Sequence, residues 1–279
     1  MEKLFPECSF PEQPIFITFA KSYTMKKIAF ITGASAGFGK ATALLLARNS
    51  FNVIITGRRS EKLKEVEKQI REQSPADVLS LTFDVRKMDE VSEAIDTLDE
   101  QWRNIDVLVN NAGLAAGLHR IDEGLVDDWE QMIDTNVKGL LYMTRKIAPG
   151  MVKRKSGHIV NIGSIAGKEV YEKGNVYCAS KHAVDALTKG MRIDLVDFGI
   201  KVTSINPGAA ETEFSMVRFK GDKEKADAVY NGFTPLYEDD IAEAVLFAVN
   251  RPAHVNINEM LIMPTAQANS SKLVRKQDT

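Results

Sequence analysis

Cysteine and histidine are scarce in this chain. Its 279 residues include two cysteines, Cys8 and Cys178, and four histidines, His119, His158, His182 and His254. Neither set has the spacing of a disulfide framework or a metal site, so no catalytic metal is expected and a reducing, cytoplasmic compartment is implied. An excess of charge is also missing. Lys and Arg number 36 against 38 Asp and Glu, a net charge of -2, and no basic stripe points to nucleic acid. The apolar run "IFITFA" near the N-terminus is too short to cross a bilayer. Residues 1–24 lack the basic start and small-residue cleavage site of a secretory signal. With three prolines and no helical period, they are expected to form a disordered extension or to precede the natural start at Met25.

What remains is a well-mixed globular composition, 44% hydrophobic, enough for a full core. From Met25 onward, apolar β-branched runs alternate with helical patterns. The runs lie at 27–33, 52–57, 78–85, 106–113, 157–164, 201–208 and 260–264. They are almost continuously apolar, as parallel strands covered on both faces require. The expected fold is α/β: a single Rossmann domain over 25–265, with about seven parallel strands, doubly wound, and helices on both faces. Residues 266–279 read as a C-terminal tail, and 209–238 as a lid, because that connection is long.

In such a sheet, ligands bind beyond the carboxyl ends of the strands. The first strand ends in "TGASAGFG", with Gly33, Gly37 and Gly39 leading into a helix. Glycines there admit a tight turn and let a phosphate reach the free N–H groups of the helix start. The second strand ends in Gly57, Arg58 and Arg59, where an NAD site would carry an acid. Guanidinium groups suit a 2′-phosphate, so NADP is the expected cofactor. Asp84 and Val85 close the third strand and are placed to meet an adenine. "NNAG", Asn110, Asn111, Ala112 and Gly113, closes the fourth and caps the cofactor pocket.

The helix beginning at Asn175 carries Tyr177 and Lys181, four residues apart and thus one turn apart on one face. A cation favours the phenolate of a neighbouring tyrosine, so Lys181 is expected to lower the pKa of Tyr177. The phenol then exchanges protons with a substrate oxygen.

Six motifs stand in order: "TGASAGFG", "NNAG", "NVKG" from Asn136, "GSIAG" with Ser164, "YCASK" and "INPG". In this the chain resembles the short-chain dehydrogenase/reductases from Met25 to about Met263. "TEFSMVRFKGD" and "PAHVNIN" resemble one branch, the NADP-dependent 3-hydroxy acid dehydrogenases, which act on serine, L-allo-threonine or malonic semialdehyde. The resemblance implies that Asn136, Ser164, Tyr177 and Lys181 are catalytic. Ser164 would hold the reacting oxygen, Lys181 would also bind the nicotinamide ribose, and Asn136 would support a water that carries protons out. It implies further cofactor contacts at Ser35, Phe38, Pro207, Gly208 and Thr212, and a homotetramer built partly on helices around 128–153 and 176–197. Arg218 in the lid is the expected carboxylate clamp, and Asn175 a further substrate contact. Two other functions share these residues: a carbonyl reductase for bulkier substrates such as 3-oxoacyl carriers, and a regulator that senses NADPH without turnover.

Overall fold

Seven short strands hold the molecule together. In the computed structural model, which describes residues 26–276, they are β1 (Ile28–Ile31), β2 (Asn52–Gly57), β3 (Val78–Thr82), β4 (Ile105–Asn110), β5 (Gly157–Ile162), β6 (Ile200–Pro207) and β7 (Glu259–Ile262). The expected extension over 1–24 lies outside the described residues. All the strands are parallel, in the order β3-β2-β1-β4-β5-β6-β7. The strand order reverses between β1 and β4, so a crevice opens where their carboxyl ends part.

The central strands are buried on both faces, while β3 and β7 at the edges are partly exposed. Residues alternate between two cores, as the two-residue period of a strand demands. Ala29 and Ile31 enter one core with Leu46 of α1 (Gly37–Arg48), Ile70 of α2 (Ser60–Gln73) and Val245 of α9 (Glu238–Val249). Ile28 and Phe30 enter the other core with Val91 of α3 (Met88–Asp96), Met151 of α5 (Leu140–Arg154) and Val184 of α6 (Asn175–Leu195). Helix α2 shows how its sequence makes an amphipathic element. Leu63, Val66 and Ile70 are buried at intervals of three and four, and Arg71 pairs with Glu67 along the exposed side.

Between α4 (Val126–Ile133) and α5 the chain makes a π-helical turn, Asp134–Gly139. Gly139 is needed there, because a Cβ would lie 2.8 Å from Cγ2 of Val85. After β6 come two short helices, α7 (Glu213–Arg218) and α8 (Lys223–Ala228). Beyond β7 the segment expected as a tail folds back over them. The Gln267 side chain accepts from Ala209 N, Ser270 N donates to Glu169, and Arg275 donates to the carbonyls of Val229 and Asn231.

His158 is a buried imidazole within β5, 3% exposed. The Thr203 hydroxyl donates to Ile257 O at 2.6 Å, so its oxygen accepts from His158 Nε2, at 2.8 Å. Burial holds the imidazole neutral down to about pH 3, helped by the charges of Lys201 and Lys27. Below pH ~6.5 the unfolded chain binds a proton that the folded one refuses, so stability falls as pH falls, by about 1.4 kcal/mol per unit. His158→Gln removes this linkage. Between pH 7.5 and 5, denaturant melts should show the wild type losing about 2 kcal/mol more than the variant; parallel losses would refute the assignment.

Candidate active site

The carboxyl ends of β1 and β4 are tied together by side chains. The Thr32 hydroxyl accepts from the N–H groups of Asn111 and Ala112, at 3.0 and 2.9 Å. Asn111 Nδ2 donates back to Thr32 O and Gly33 O, at 2.9 and 3.2 Å. Gly33 has φ +66°, and a Cβ on it would stand 2.9 Å from Ala112 Cα. Only glycine fits that turn and that approach. Gly39 serves packing, since its Cβ would meet Gly33 O at 2.5 Å. It does not line the cleft, a correction to its expected role as a cofactor contact. Helix α1 begins after Ala36, which offers no side-chain cap, so its first N–H groups remain free as donors.

These loops open into a cleft of about 680 Å³. Of the residues singled out from sequence, Gly33, Ser35, Gly37, Phe38, Arg58, Arg59, Asp84, Val85, Asn111, Ala112, Gly113, Ser164, Tyr177, Lys181, Pro207, Gly208, Thr212 and Arg218 line it. Asn110 does not. Strand alternation turns it into the sheet, where it donates to Thr144 and Asn161. Asn175 lies outside the cleft wall; its amide donates to His119 O at 3.0 Å beside a small pocket that Tyr177 and Arg218 line as well. The place of Asn110 is a correction.

At the β2 end of the cleft, Arg59 donates from Nε and Nη2 to the Ser35 hydroxyl, at 3.2 and 2.9 Å. Its Nη1 donates to Glu213, which Lys62 also meets. Arg58 stands 3.9 Å from Asp84. Burial works to raise the Asp84 carboxyl, but the hydrogen bonds and charge of Arg86 outweigh it and hold it below the usual range.

Ser164, after β5, accepts from Ala166 N at 3.1 Å and so starts a tight turn. Lys181 Nζ donates to Ile162 O at 2.9 Å, and burial lowers its pKa to about 8. Tyr177 is edge-on to Phe214 of α7, with ring centroids 5.6 Å apart, and the Arg218 guanidinium lies 5.7 Å from its ring. Burial pushes the Tyr177 phenol well above its ordinary value, with the Tyr171 phenol adding and the Ser164 hydroxyl and Arg218 opposing. The phenol is thus raised where a lowering was expected, because burial outweighs the groups that favour the phenolate. One N–H of the Lys181 ammonium is held by the backbone at the end of β5.

Asn136 lies on the π-helical turn, 2% exposed and outside the cleft wall. Its amide accepts from Leu114 N and donates to Leu114 O, each at 2.8 Å, and donates to Ser180 at 3.0 Å. A Cβ on Gly113 would touch both Asn136 Oδ1 and Lys181 Nζ, at 3.2 and 3.6 Å.

Arg218 donates to the Tyr171 hydroxyl at 2.9 Å and to Gly117 O at 3.4 Å. Sequence reasoning missed Tyr171, Glu213 and the cleft wall formed by Gln267, Ser270, Leu273 and Arg275. Tyr171 precedes Tyr177 by six residues in a stretch with no period, so only its aromatic character marked it.

A profile described as short chain dehydrogenase matches residues 27–223. The "NADP-dependent 3-hydroxy acid dehydrogenase YdfG" of Salmonella typhi is 49% identical over 86% of this chain and 96% of its own. The "NADP-dependent 3-hydroxy acid dehydrogenase" of Schizosaccharomyces pombe is 41% identical over 90% of this chain and 97% of its own. Among solved structures, "The Closed form of serine dehydrogenase complexed with NADP+" is 44% identical with a TM-score of 0.84, covering 90% of this chain and 100% of that one.

Asn136→Ala would strip Leu114 N, Leu114 O and the Ser180 hydroxyl of a buried partner. The loss should be about 1–3 kcal/mol for each group left unsatisfied, read as a lower midpoint in urea. An unchanged midpoint would mean that this loop is held without Asn136.

Proposed function

The chain belongs to the short-chain dehydrogenase family, and from that premise we propose that it is an NADP-dependent oxidoreductase of CH–OH groups. Its substrate is a small 3-hydroxy acid, or the matching 3-oxo acid, such as serine, L-allo-threonine or 3-hydroxypropionate. One observation carries the reading. A single cleft holds Arg58, Arg59 and Ser35 toward β2, Ser164 and Tyr177 toward β5, and Arg218 from the lid formed by 209–238. The names of the relatives in Salmonella typhi and Schizosaccharomyces pombe support both the cofactor and the acid.

The residues present fit NADP. The Gly33–Gly37 turn and the uncapped start of α1 supply N–H donors for a pyrophosphate. Arg58, Arg59 and Ser35 supply donors for a 2′-phosphate, and β2 ends without an acid to repel it. Thr135, buried with its hydroxyl unpartnered, belongs to the same wall. Bound, the nicotinamide supplies the hydride chemistry, and the protein orients it. Burial keeps Tyr177 protonated at neutral pH, the form that gives a proton to a carbonyl oxygen during reduction. Ser164 holds the same oxygen. Lys181, with one N–H on Ile162, directs its charge toward the cofactor ribose. In the oxidative direction Tyr177 must first lose its proton, so oxidation gains as pH rises.

Family membership also supports a homotetramer in a cytoplasmic setting. Leu125, Val126, Leu141, Ile193 and Val196 are large apolar residues exposed on or beside α4, α5 and α6, where dimer contacts are expected. Among the described residues no helix is long and apolar enough to cross a membrane.

Tyr177→Phe keeps the ring and removes the proton. Turnover should fall about 10²–10⁴-fold while NADPH still binds, as its fluorescence would report; near-normal turnover would refute the role. Arg218→Ala should lower kcat/KM for 3-hydroxy acids by roughly 10- to 150-fold and leave a neutral alcohol of similar size almost unaffected. Equal losses on both substrates would mean that Arg218 shapes the lid and does not clamp the acid.

A further inference from the structure

The first residue of the lid helix α7 sits among the cofactor's cations. Glu213 accepts from Arg59 Nη1 at 2.8 Å and from Lys62, and it lines the cleft together with Ser35, Arg58 and Arg59. Burial would raise its carboxyl, but the bonds from Lys62 and Arg59 hold it below the usual range, so it is ionised at neutral pH.

The geometry of Arg59 makes this placement consequential. A guanidinium binds an oxyanion through two adjacent N–H groups, along one of its edges. One edge of Arg59, Nε with Nη2, is turned to the Ser35 hydroxyl. The other, which includes Nη1, is turned to Glu213. A phosphate that takes Arg59 in two-pronged fashion must displace one of these partners. Ser35 is a neutral donor that can join the phosphate, whereas Glu213 is an anion that repels it. Arg58, 3.9 Å from Asp84, is a further donor for the phosphate but does not move Glu213 off Arg59.

We propose that Glu213 is a built-in competitor for the 2′-phosphate of NADP. It occupies one of the two guanidinium edges open to the phosphate and repels the phosphate at the other, and it ties the start of the lid to the cofactor's cations until the phosphate draws them away. This rests on the NADP reading above. A cofactor without a 2′-phosphate leaves the Glu213–Arg59 pair intact. Only the phosphorylated cofactor frees that end of the lid, so the chain tells the two cofactors apart through the lid as well as through the pocket. Glu213 is thereby a specificity-determining residue that need not touch the reacting atoms.

The test uses the full chain and two fragments, adenosine 2′,5′-bisphosphate and 5′-AMP, titrated by calorimetry. Wild type should prefer the bisphosphate. Glu213→Gln keeps size and hydrogen-bonding capacity and removes the charge. It should tighten the bisphosphate roughly 2- to 10-fold, in line with a partly exposed ion pair facing a doubly charged group, and leave 5′-AMP within twofold. The gain should shrink at 0.5 M salt, because the repulsion is screened. A bisphosphate affinity that is unchanged or weaker in the variant overturns the inference alone, as does an equal gain for 5′-AMP. A wild type with no preference between the fragments removes the NADP reading, and the inference with it.

Discussion

A parallel strand cannot turn back on itself; each must return through a crossover before the next begins. In this chain that constraint brings every carboxyl end to one edge of the sheet, and every helix start to the same edge. Chemistry contributed from residue 33 to residue 218 thus converges on one cleft. The clamp of Thr32 and Asn111 holds the gap at the β1–β4 switch open at a fixed width. Without it, the glycine turn and the loop after β4 would have only backbone contact to keep them aligned.

Burial dominates the electrostatics of the reaction centre. The ammonium of Lys181 and the phenol of Tyr177 are each shifted toward their neutral forms, and the largest cause for both is the same loss of water. The groups that oppose this at Tyr177 are a strand-end hydroxyl, Ser164, and an arginine of α7, Arg218. The proton affinity of the phenol thus depends in part on a segment that packs beside it from beyond β6.

Much of this was legible in the sequence, for physical reasons. Strands buried on both faces must be apolar throughout, so the central strands were visible as runs, and the edge strands β3 and β7 kept enough apolar residues to be seen as well. Glycines forced by positive φ or close approach stood out at Gly33 and Gly37. Asn110 was misjudged because a polar residue at a strand's end has two faces to choose between, and only the packed neighbour, here Asn161 on β5, decides. Tyr171 and Glu213 act through partners 47 and 154 residues away, Arg218 and Arg59, and no local pattern records such pairs. The expected lowering of the Tyr177 pKa failed because one turn of helix sets proximity but says nothing of burial, which dominates here.

The segment from Pro264 to Lys276 has a consequence in time. The sheet is complete at Ile262, yet the cleft still lacks the wall that Gln267, Ser270, Leu273 and Arg275 provide. During synthesis the chain emerges from its N-terminal end. Those four residues, with the bonds that Gln267 and Arg275 make to Ala209, Val229 and Asn231, are therefore the last part of the cleft to leave the ribosome.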